Sequence, residues 1–123
     1  MVSLPMSTPP AAVAPPAPPR LTVVVPCYNE AANVPEMVRR LDAALAGLAW
    51  EAIFVDDDSP DGTAAVAKAI AARDPRIRCI RRIGRRGLAS ACIEGMLASA
   101  APFLAEIGRA SCRERVSLVV GMA

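Results

Sequence analysis

Residues 53–63 read Ile-Phe-Val-Asp-Asp-Asp-Ser-Pro-Asp-Gly-Thr and combine a predicted strand, an acidic turn and the start of a helix. Ile53 to Val55 is an apolar run with strand propensity, and a sheet interior would not bury the three following carboxylates unpaired. The acids are therefore expected at the carboxyl end of the strand. Ser59 to Gly62 has turn chemistry, and Asp61 and Thr63 are candidate N-caps. Because ligands of open α/β sheets bind beyond the carboxyl ends of the strands, this cluster is a candidate site.

The composition restricts the class of protein. The chain has 123 residues, a formal net charge of +2, four cysteines and no histidine. This length predicts one small domain, and the weak net charge argues against nucleic-acid binding as the main function. The cysteines lack paired metal-ligand spacing, so a zinc site is not expected, and they predict a reducing, cytosolic environment. No apolar run is long enough to span a bilayer.

The chain divides into three predicted segments. Residues 1–19 are rich in proline and alanine, which disfavours both helix and sheet, so a disordered leader is expected, with an SH3-type ligand as the alternative. Residues 20–105 carry the folded domain. Residues 106–123 are interpreted as a tail that does not belong to it.

Strands and helices alternate through the middle segment. Three apolar runs predict one parallel sheet with its loops at a common edge, and the third run, interleaved with arginines, is expected near the edge of that sheet. Pro26 is expected to end the first strand. The runs are Leu21 to Val25, Ala52 to Val55 and Ile77 to Ile80.

Three helices are predicted between and after these strands. The first begins near Asn33 and is expected to bury Leu48 with its other apolar residues. The last runs from Leu88 to Ser99 and is expected to bury Leu88, Cys92, Met96 and Leu97. Ala101 to Ala105 is a candidate fourth strand.

Three separated motifs make this chain resemble the N-terminal part of a family 2 glycosyltransferase, closest to the dolichyl- or polyprenyl-phosphate mannosyltransferases. The motifs are Val-Pro-Cys-Tyr-Asn-Glu at residues 25–30, Val-Asp-Asp-Asp-Ser-Pro-Asp-Gly-Thr at residues 55–63, and Arg-Gly-Leu-Ala-Ser-Ala at residues 86–91 followed by Glu-Gly-Met at residues 94–96. Each alone is weak, but their order and spacing on alternating strands and helices are specific. The resemblance implies the nucleotide-sugar-binding half of a GT-A domain, an incomplete α/β fold with a mostly parallel sheet and flanking helices.

The resemblance places the donor-binding residues at Pro26, Tyr28, Glu30, Val55 and Asp57. Pro26 and Val55 would end their strands and leave backbone groups facing a base or ribose. Tyr28 offers a ring for stacking and a hydroxyl. Asp57 or Glu30 would accept hydrogen bonds from the nucleobase or ribose. The alternative is that the acidic cluster only forms a turn and caps a helix.

Further residues follow from the same resemblance. Arg85 and Arg86 lie where the family's loop approaches a diphosphate or a lipid phosphate, and a guanidinium suits phosphate. Asp56 is expected to brace the turn. Asp58 replaces the family's usual glycine, and aspartate tolerates positive φ better than most residues.

The family's next element is a strand ending in an Asp-x-Asp metal site, expected within a few residues of Ala105, where this chain has Gly108 and Arg109 instead. Mg²⁺ or Mn²⁺ is therefore expected for a full-length parent, with no metal ligand and no catalytic residue among the residues present here. The 123-residue chain is expected to be inactive. Glu106 to Val116 resembles the conceptual translation of a sequencing adapter, and the alternative is a genuine tail whose run from Val116 to Val120 adds an edge strand.

The resemblance implies transfer of a sugar, mannose in the first instance, from a nucleotide donor such as GDP-mannose to a polyprenyl or dolichyl phosphate at the cytosolic face of a membrane. An enzyme of cell-wall or polysaccharide synthesis that uses a UDP-sugar is the alternative. A more remote alternative is a non-enzymatic α/β module of the phospho-receiver type. A receiver requires acids after its first strand and a phosphoacceptor after its third, whereas these strands end in Pro26 and in Arg81 and Arg82.

Overall fold

A computed structural model describes residues 18–84 and 87–107 in full and the backbone of residues 118–122. The predicted leader at residues 1–17, Arg85 and Arg86, and most of the tail lie outside the described residues. Strands and helices alternate as the sequence predicts. The elements in chain order are β1 (Leu21–Cys27), α1 (Val34–Ala44), β2 (Trp50–Asp56), α2 (Thr63–Ala71), β3 (Ile77–Arg81), α3 (Leu88–Leu97), β4 (Phe103–Ile107) and β5 (Leu118–Met122).

The described strands form one sheet in the order β3-β2-β1-β4-β5. Strands β1 to β4 are parallel, and β5 pairs with β4 in the antiparallel direction. The predicted α/β fold is confirmed, and the first three predicted strands do share one parallel sheet. Strand β3 lies at its edge, as its mixed composition indicates.

Alternation along β1 and β2 separates two apolar cores. Val23, Val25 and Phe54 face α1 and α2, where Met37 and Ala67 pack against them. On the opposite face, a smaller cluster of Val24, Ile53, Val55 and Ala91 packs under α3. Successive side chains of a strand point to opposite faces, so each central strand contributes to both layers.

Helix α3 packs very close to the sheet through small residues. A Cβ added at Gly95 would lie 2.4 Å from Val24 Cγ1, so only glycine fits there. The prediction that Leu88 and Leu97 are buried was wrong, because they are 44% and 80% exposed. Cys92 is buried as predicted, together with Ala91 and Gly95, and Met96 is half-buried.

Other boundaries also differ from the prediction. Pro26 does not end β1, which continues to Cys27. Proline lacks a backbone N–H, but β4 pairs with β1 only as far as Val24, so no hydrogen bond from residue 26 to β4 is required. Strand β4 continues past Ala105 to a fully buried Ile107. Leu48, predicted to be buried, is exposed because α1 ends at Ala44.

The run near the end of the chain does add an edge strand, since the backbone of β5 pairs with the whole of β4. The edge strand considered at Val116 to Val120 is therefore present, with the bounds Leu118–Met122. The domain boundary at residue 105 and the origin of residues 106–123 stay predictions.

Candidate functional site

The loops that follow β1 and β2 lie side by side at the carboxyl edge of the sheet. Cys27 pairs with Asp56 at the end of the β1–β2 ladder, and the Asp57 N–H donates to the Cys27 carbonyl at 3.2 Å. The predicted adjacency of the Tyr28 and Asp57 loops is therefore confirmed.

Side chains of the second loop hold the backbone of the first. Three consecutive N–H groups of the β1–α1 loop donate to side-chain oxygens between Ser59 and Thr63, the first residue of α2, and we call this set of contacts the loop clamp. The Ser59 hydroxyl itself donates to Asp56 at the end of β2 and the Thr63 hydroxyl to Asp61, so each hydroxyl is oriented on both sides. The contacts are Asn29 N to Ser59 Oγ (2.9 Å), Glu30 N to Thr63 Oγ1 (3.0 Å) and Ala31 N to Asp61 Oδ2 (3.1 Å).

The three consecutive acids have three different partners. Asp56 is fully buried and accepts from the Ser59 N–H at 3.1 Å and from the Ser59 hydroxyl, so it braces the turn as predicted. Asp58 has a φ of 58° and forms a largely exposed ion pair with Arg81. Positive φ at this position is the reason for the glycine expected there, and aspartate tolerates it.

Asp57, the residue predicted to contact the nucleobase, is 5% exposed and pairs with Arg82, which is 1% exposed. Arg82 Nε donates to Asp57 Oδ1 at 2.7 Å. The Gly87 N–H donates to the other carboxylate oxygen, Oδ2, at 3.2 Å. Asp57 is thus held through both of its oxygens.

The remaining nitrogens of Arg82 bind the start of α3. Its Nη1 donates to Ser90 Oγ at 2.8 Å and its Nη2 donates to the Gly87 carbonyl at 3.0 Å. Glu94 Oε2 lies 3.9 Å from Nε. The hydrogen bond to Asp57 raises the pKa of Arg82 above its usual range, so the guanidinium stays charged while buried.

The five predicted donor-binding residues do gather at one edge, with unequal exposure. Pro26 and Val55 are buried inside their strands, whereas Tyr28 and Glu30 are half-buried on the first loop. Glu30 Oε2 accepts from Asn33 Nδ2 at 2.6 Å, next to the start of α1. Arg85 and Arg86, the predicted phosphate-contacting residues, are outside the described residues.

Arg82 is the site residue that the sequence prediction missed. The sequence prediction places Arg82 only at the end of the third strand, yet the alternation of side chains along β3 indicates which face Arg82 occupies. Ile80 packs with the cluster under α3, so Arg82, two residues later, falls on the same covered face.

Within residues 18–84 and 87–107, no group of three or more Cys, Asp or Glu side chains is arranged to hold a metal ion. The acids nearest the site already have protein partners, with Asp57 bound to Arg82 and Asp58 to Arg81. We assign no metal ligand to this part of the chain.

Parallel strands with helices on both faces and polar loops at their carboxyl ends define an α/β domain of the ligand-binding type. The particular family is shown by its sequence. The chain belongs to glycosyl transferase family 2, which residues 22–107 match. The family inferred from the three motifs is thereby confirmed.

Several characterised proteins are similar in sequence to this chain. A dolichol-phosphate mannosyltransferase of Pyrococcus furiosus is 43% identical over 76 residues, covering 62% of this chain and 21% of that protein. A polyprenol monophosphomannose synthase of Mycolicibacterium smegmatis is 39% identical over 77 residues, covering 62% and 28%. An undecaprenyl-phosphate 4-deoxy-4-formamido-L-arabinose transferase of Pseudomonas aeruginosa is 46% identical over 56 residues, covering 44% and 16%. The chain thus spans less than a third of the length of these relatives.

Solved structures show the same fold. A mannosyltransferase of Pyrobaculum calidifontis in complex with GDP-Man and Mn²⁺ superposes with a TM-score of 0.62 at 28% identity, over 81% of this chain and 30% of that one. Glucosyl-3-phosphoglycerate synthase of Mycobacterium tuberculosis superposes with a TM-score of 0.58 at 23% identity, over 72% and 33%. These likenesses confirm the GT-A assignment.

Among the described residues, no helix has both the length and the apolarity that a membrane span requires.

Proposed function

We propose that this chain is the nucleotide-sugar-binding part of a glycosyltransferase that transfers mannose from GDP-mannose to a polyprenyl or dolichyl phosphate. The observation that carries the proposal is the buried Asp57 carboxylate, fixed between Arg82 Nε and the Gly87 N–H beside the Tyr28 loop. The relatives named for mannosyl transfer to dolichol or polyprenol support the sugar and the acceptor.

Asp57 has the chemistry that a nucleobase with a ring N–H requires. A carboxylate accepts hydrogen bonds at both of its oxygens. Guanine offers a ring N–H and an amino group on one edge, and uracil offers a ring N–H. Adenine and cytosine instead present a ring nitrogen that accepts, which a carboxylate opposes. Tyr28, half-buried on the adjacent loop, supplies a ring for stacking.

Pro26, Glu30 and Val55 complete the proposed donor pocket. Pro26 and Val55 form its floor because they are paired and buried at the ends of the two central strands. Glu30 lies next to Tyr28 with its backbone fixed by the loop clamp, so it is placed to accept from ribose hydroxyls. Arg85 and Arg86 are proposed to contact phosphate.

The acceptor and the metal complete the proposal. The lipid phosphate binds where the protein meets the cytosolic face of a membrane. Mg²⁺ or Mn²⁺, held by residues other than those described here, would stabilise the negative charge of the departing nucleotide. The structural neighbour bound to GDP-Man and Mn²⁺ supports the donor and the metal for the full enzyme.

A second candidate keeps the lipid acceptor and changes the donor to a UDP-sugar. It is favoured by the 46% identity to the undecaprenyl-phosphate arabinosyl-type transferase over 56 residues. Both candidates use Asp57 in the same way, because uracil also presents a ring N–H.

Calorimetric titration of the chain with GDP, UDP, ADP and CDP tests the proposal. GDP is expected to bind most tightly, and ADP and CDP most weakly. Tighter binding of UDP than of GDP would favour the second candidate. Binding of ADP as tight as that of GDP would contradict both, since adenine has no ring N–H on that edge to donate to the carboxylate.

A further inference from the structure

Arg82, Asp57 and Gly87 form a closed ring of hydrogen bonds at the edge of the proposed pocket. Arg82 binds one oxygen of Asp57 and also the Gly87 carbonyl, while the Gly87 N–H binds the other oxygen of Asp57. We refer to these three contacts as the carboxylate ring. Every member restrains the other two, so the Asp57 carboxylate cannot rotate without breaking at least one bond.

The backbone of Gly87 makes the ring possible. Gly87 has a φ of 132°, a conformation that L side chains rarely adopt, and a Cβ there would lie 3.3 Å from Ser90 Oγ. Its N–H and its carbonyl both take part in the ring. This glycine therefore presents its donor to the acid and its acceptor to the arginine.

Burial makes the orientation of Asp57 depend on Arg82 in particular. A buried carboxylate requires a charged partner with well-aligned hydrogen bonds, and Arg82 is almost inaccessible to solvent. A guanidinium binds three groups in one plane, here Asp57, Gly87 and Ser90. A lysine ammonium keeps the charge but not this planar fork.

We propose that Arg82 is a positioning residue for nucleotide recognition: it fixes the Asp57 carboxylate in the orientation that reads the ring N–H of the base. The inference rests on the proposed function, because it assumes that Asp57 faces the nucleobase. Arg82 itself does not contact the nucleotide. It acts through Asp57, and through Gly87 it ties that acid to the first turn of α3.

The test compares GDP with 1-methyl-GDP, in which a methyl group replaces the ring N–H of guanine. The unmodified chain is expected to prefer GDP by about tenfold to a hundredfold, the range for one hydrogen bond to a charged group. In Arg82→Lys this preference is expected to fall toward one. Arg81→Lys is the matched control, since Arg81 pairs with Asp58 at the surface, and it is expected to retain the preference.

A second measurement follows the ring without nucleotide. Hydrogen exchange of the Gly87 amide is expected to accelerate in Arg82→Lys, while amides of β1 and β2 remain protected. If those strands lose protection, Arg82→Lys has disturbed the fold, and Ser90→Ala replaces it in the comparison of GDP with 1-methyl-GDP. Ser90 is exposed and gives Arg82 one contact, so this variant should fold and show a partial loss of the GDP preference.

The outcomes distinguish a failure of the proposed function from a failure of the positioning role of Arg82. No preference for GDP over 1-methyl-GDP in the unmodified chain contradicts the proposed function and this inference with it. If the unmodified chain prefers GDP and Arg82→Lys keeps the same preference, the positioning role alone is overturned. Where Arg82→Lys does not fold, the same conclusion follows from an undiminished preference in Ser90→Ala.

Discussion

Asp57 and Arg82 form an ion pair, with Asp57 Oδ1 2.7 Å from Arg82 Nε, in which the Asp57 side chain is 7% exposed and the Arg82 side chain 1% exposed. Asp58, one residue after Asp57, and Arg81, one residue before Arg82, form a second pair that is largely exposed. The two pairs have the same charges but different surroundings, so they provide an internal comparison of a buried and a solvated ion pair.

Replacing the buried arginine is expected to destabilise the fold far more than replacing the exposed one. Arg82→Met leaves the Asp57 carboxylate buried without its charged partner, which typically costs about 3 to 5 kcal/mol. Arg81→Met removes a surface pair worth about 1 kcal/mol or less. Urea denaturation of both variants measures the difference, and equal losses would show that the Asp57–Arg82 pair is solvated in solution.

The packing of α3 gives a second prediction. Gly95→Ala is expected to lower the free energy of unfolding by about 1 to 3 kcal/mol, because the new methyl group overlaps Val24 Cγ1 at 2.4 Å. Adding Val24→Ala to this variant removes the overlapping carbon and should recover part of the loss. If Gly95→Ala is as stable as the unmodified chain, α3 does not pack this closely on β1.

The general architecture could be predicted from the sequence because it depends on the alternation of strand and helix patterns and on turn residues, which are local features of the chain. The apolar run before Asp56 and the turn after it locate the second strand and the site directly. Gly95 shows where local reasoning fails. The apolar pattern predicts that Leu88 and Leu97 face the core, yet the close approach of α3 to Val24 requires small residues on the buried face instead.

For the site, the position of the two loops could be predicted from the sequence, but the burial of Arg82 could not. The motif order placed the Tyr28 and Asp57 loops together, since parallel strands share one carboxyl edge. The burial of Arg82 was missed because it depends on the cover that α3 provides, which is a tertiary contact. An arginine beside a glycine-rich loop is ordinarily solvated, and only the alternation from Ile80 distinguishes it.

The loop clamp predicts a response to acid. Hydrogen bonds from Thr63, and from the Ala31 N–H, lower the pKa of Asp61 below its usual range. A lowered folded-state pKa means that the stabilisation by Asp61 is fully present above about pH 4 and is lost as the pH falls through the folded-state value. Urea midpoints measured from pH 6 down to pH 3 should therefore decline less steeply in Asp61→Asn than in the unmodified chain. Parallel curves would mean that Asp61 does not hold the first loop.

The central claim, that Asp57 reads the donor base, is tested most directly by titrating GDP against Asp57→Ala and Asp58→Ala. Losing a hydrogen bond to a buried charge costs about 1.5 to 3 kcal/mol, so Asp57→Ala should weaken GDP binding about tenfold to a hundredfold. Asp58 is partly exposed and occupies a turn position, so Asp58→Ala should change binding by less than about 0.5 kcal/mol. Circular dichroism of both variants controls for folding. Equal losses in the two folded variants would contradict the claim and leave the acidic triplet with only a structural or diffuse electrostatic role.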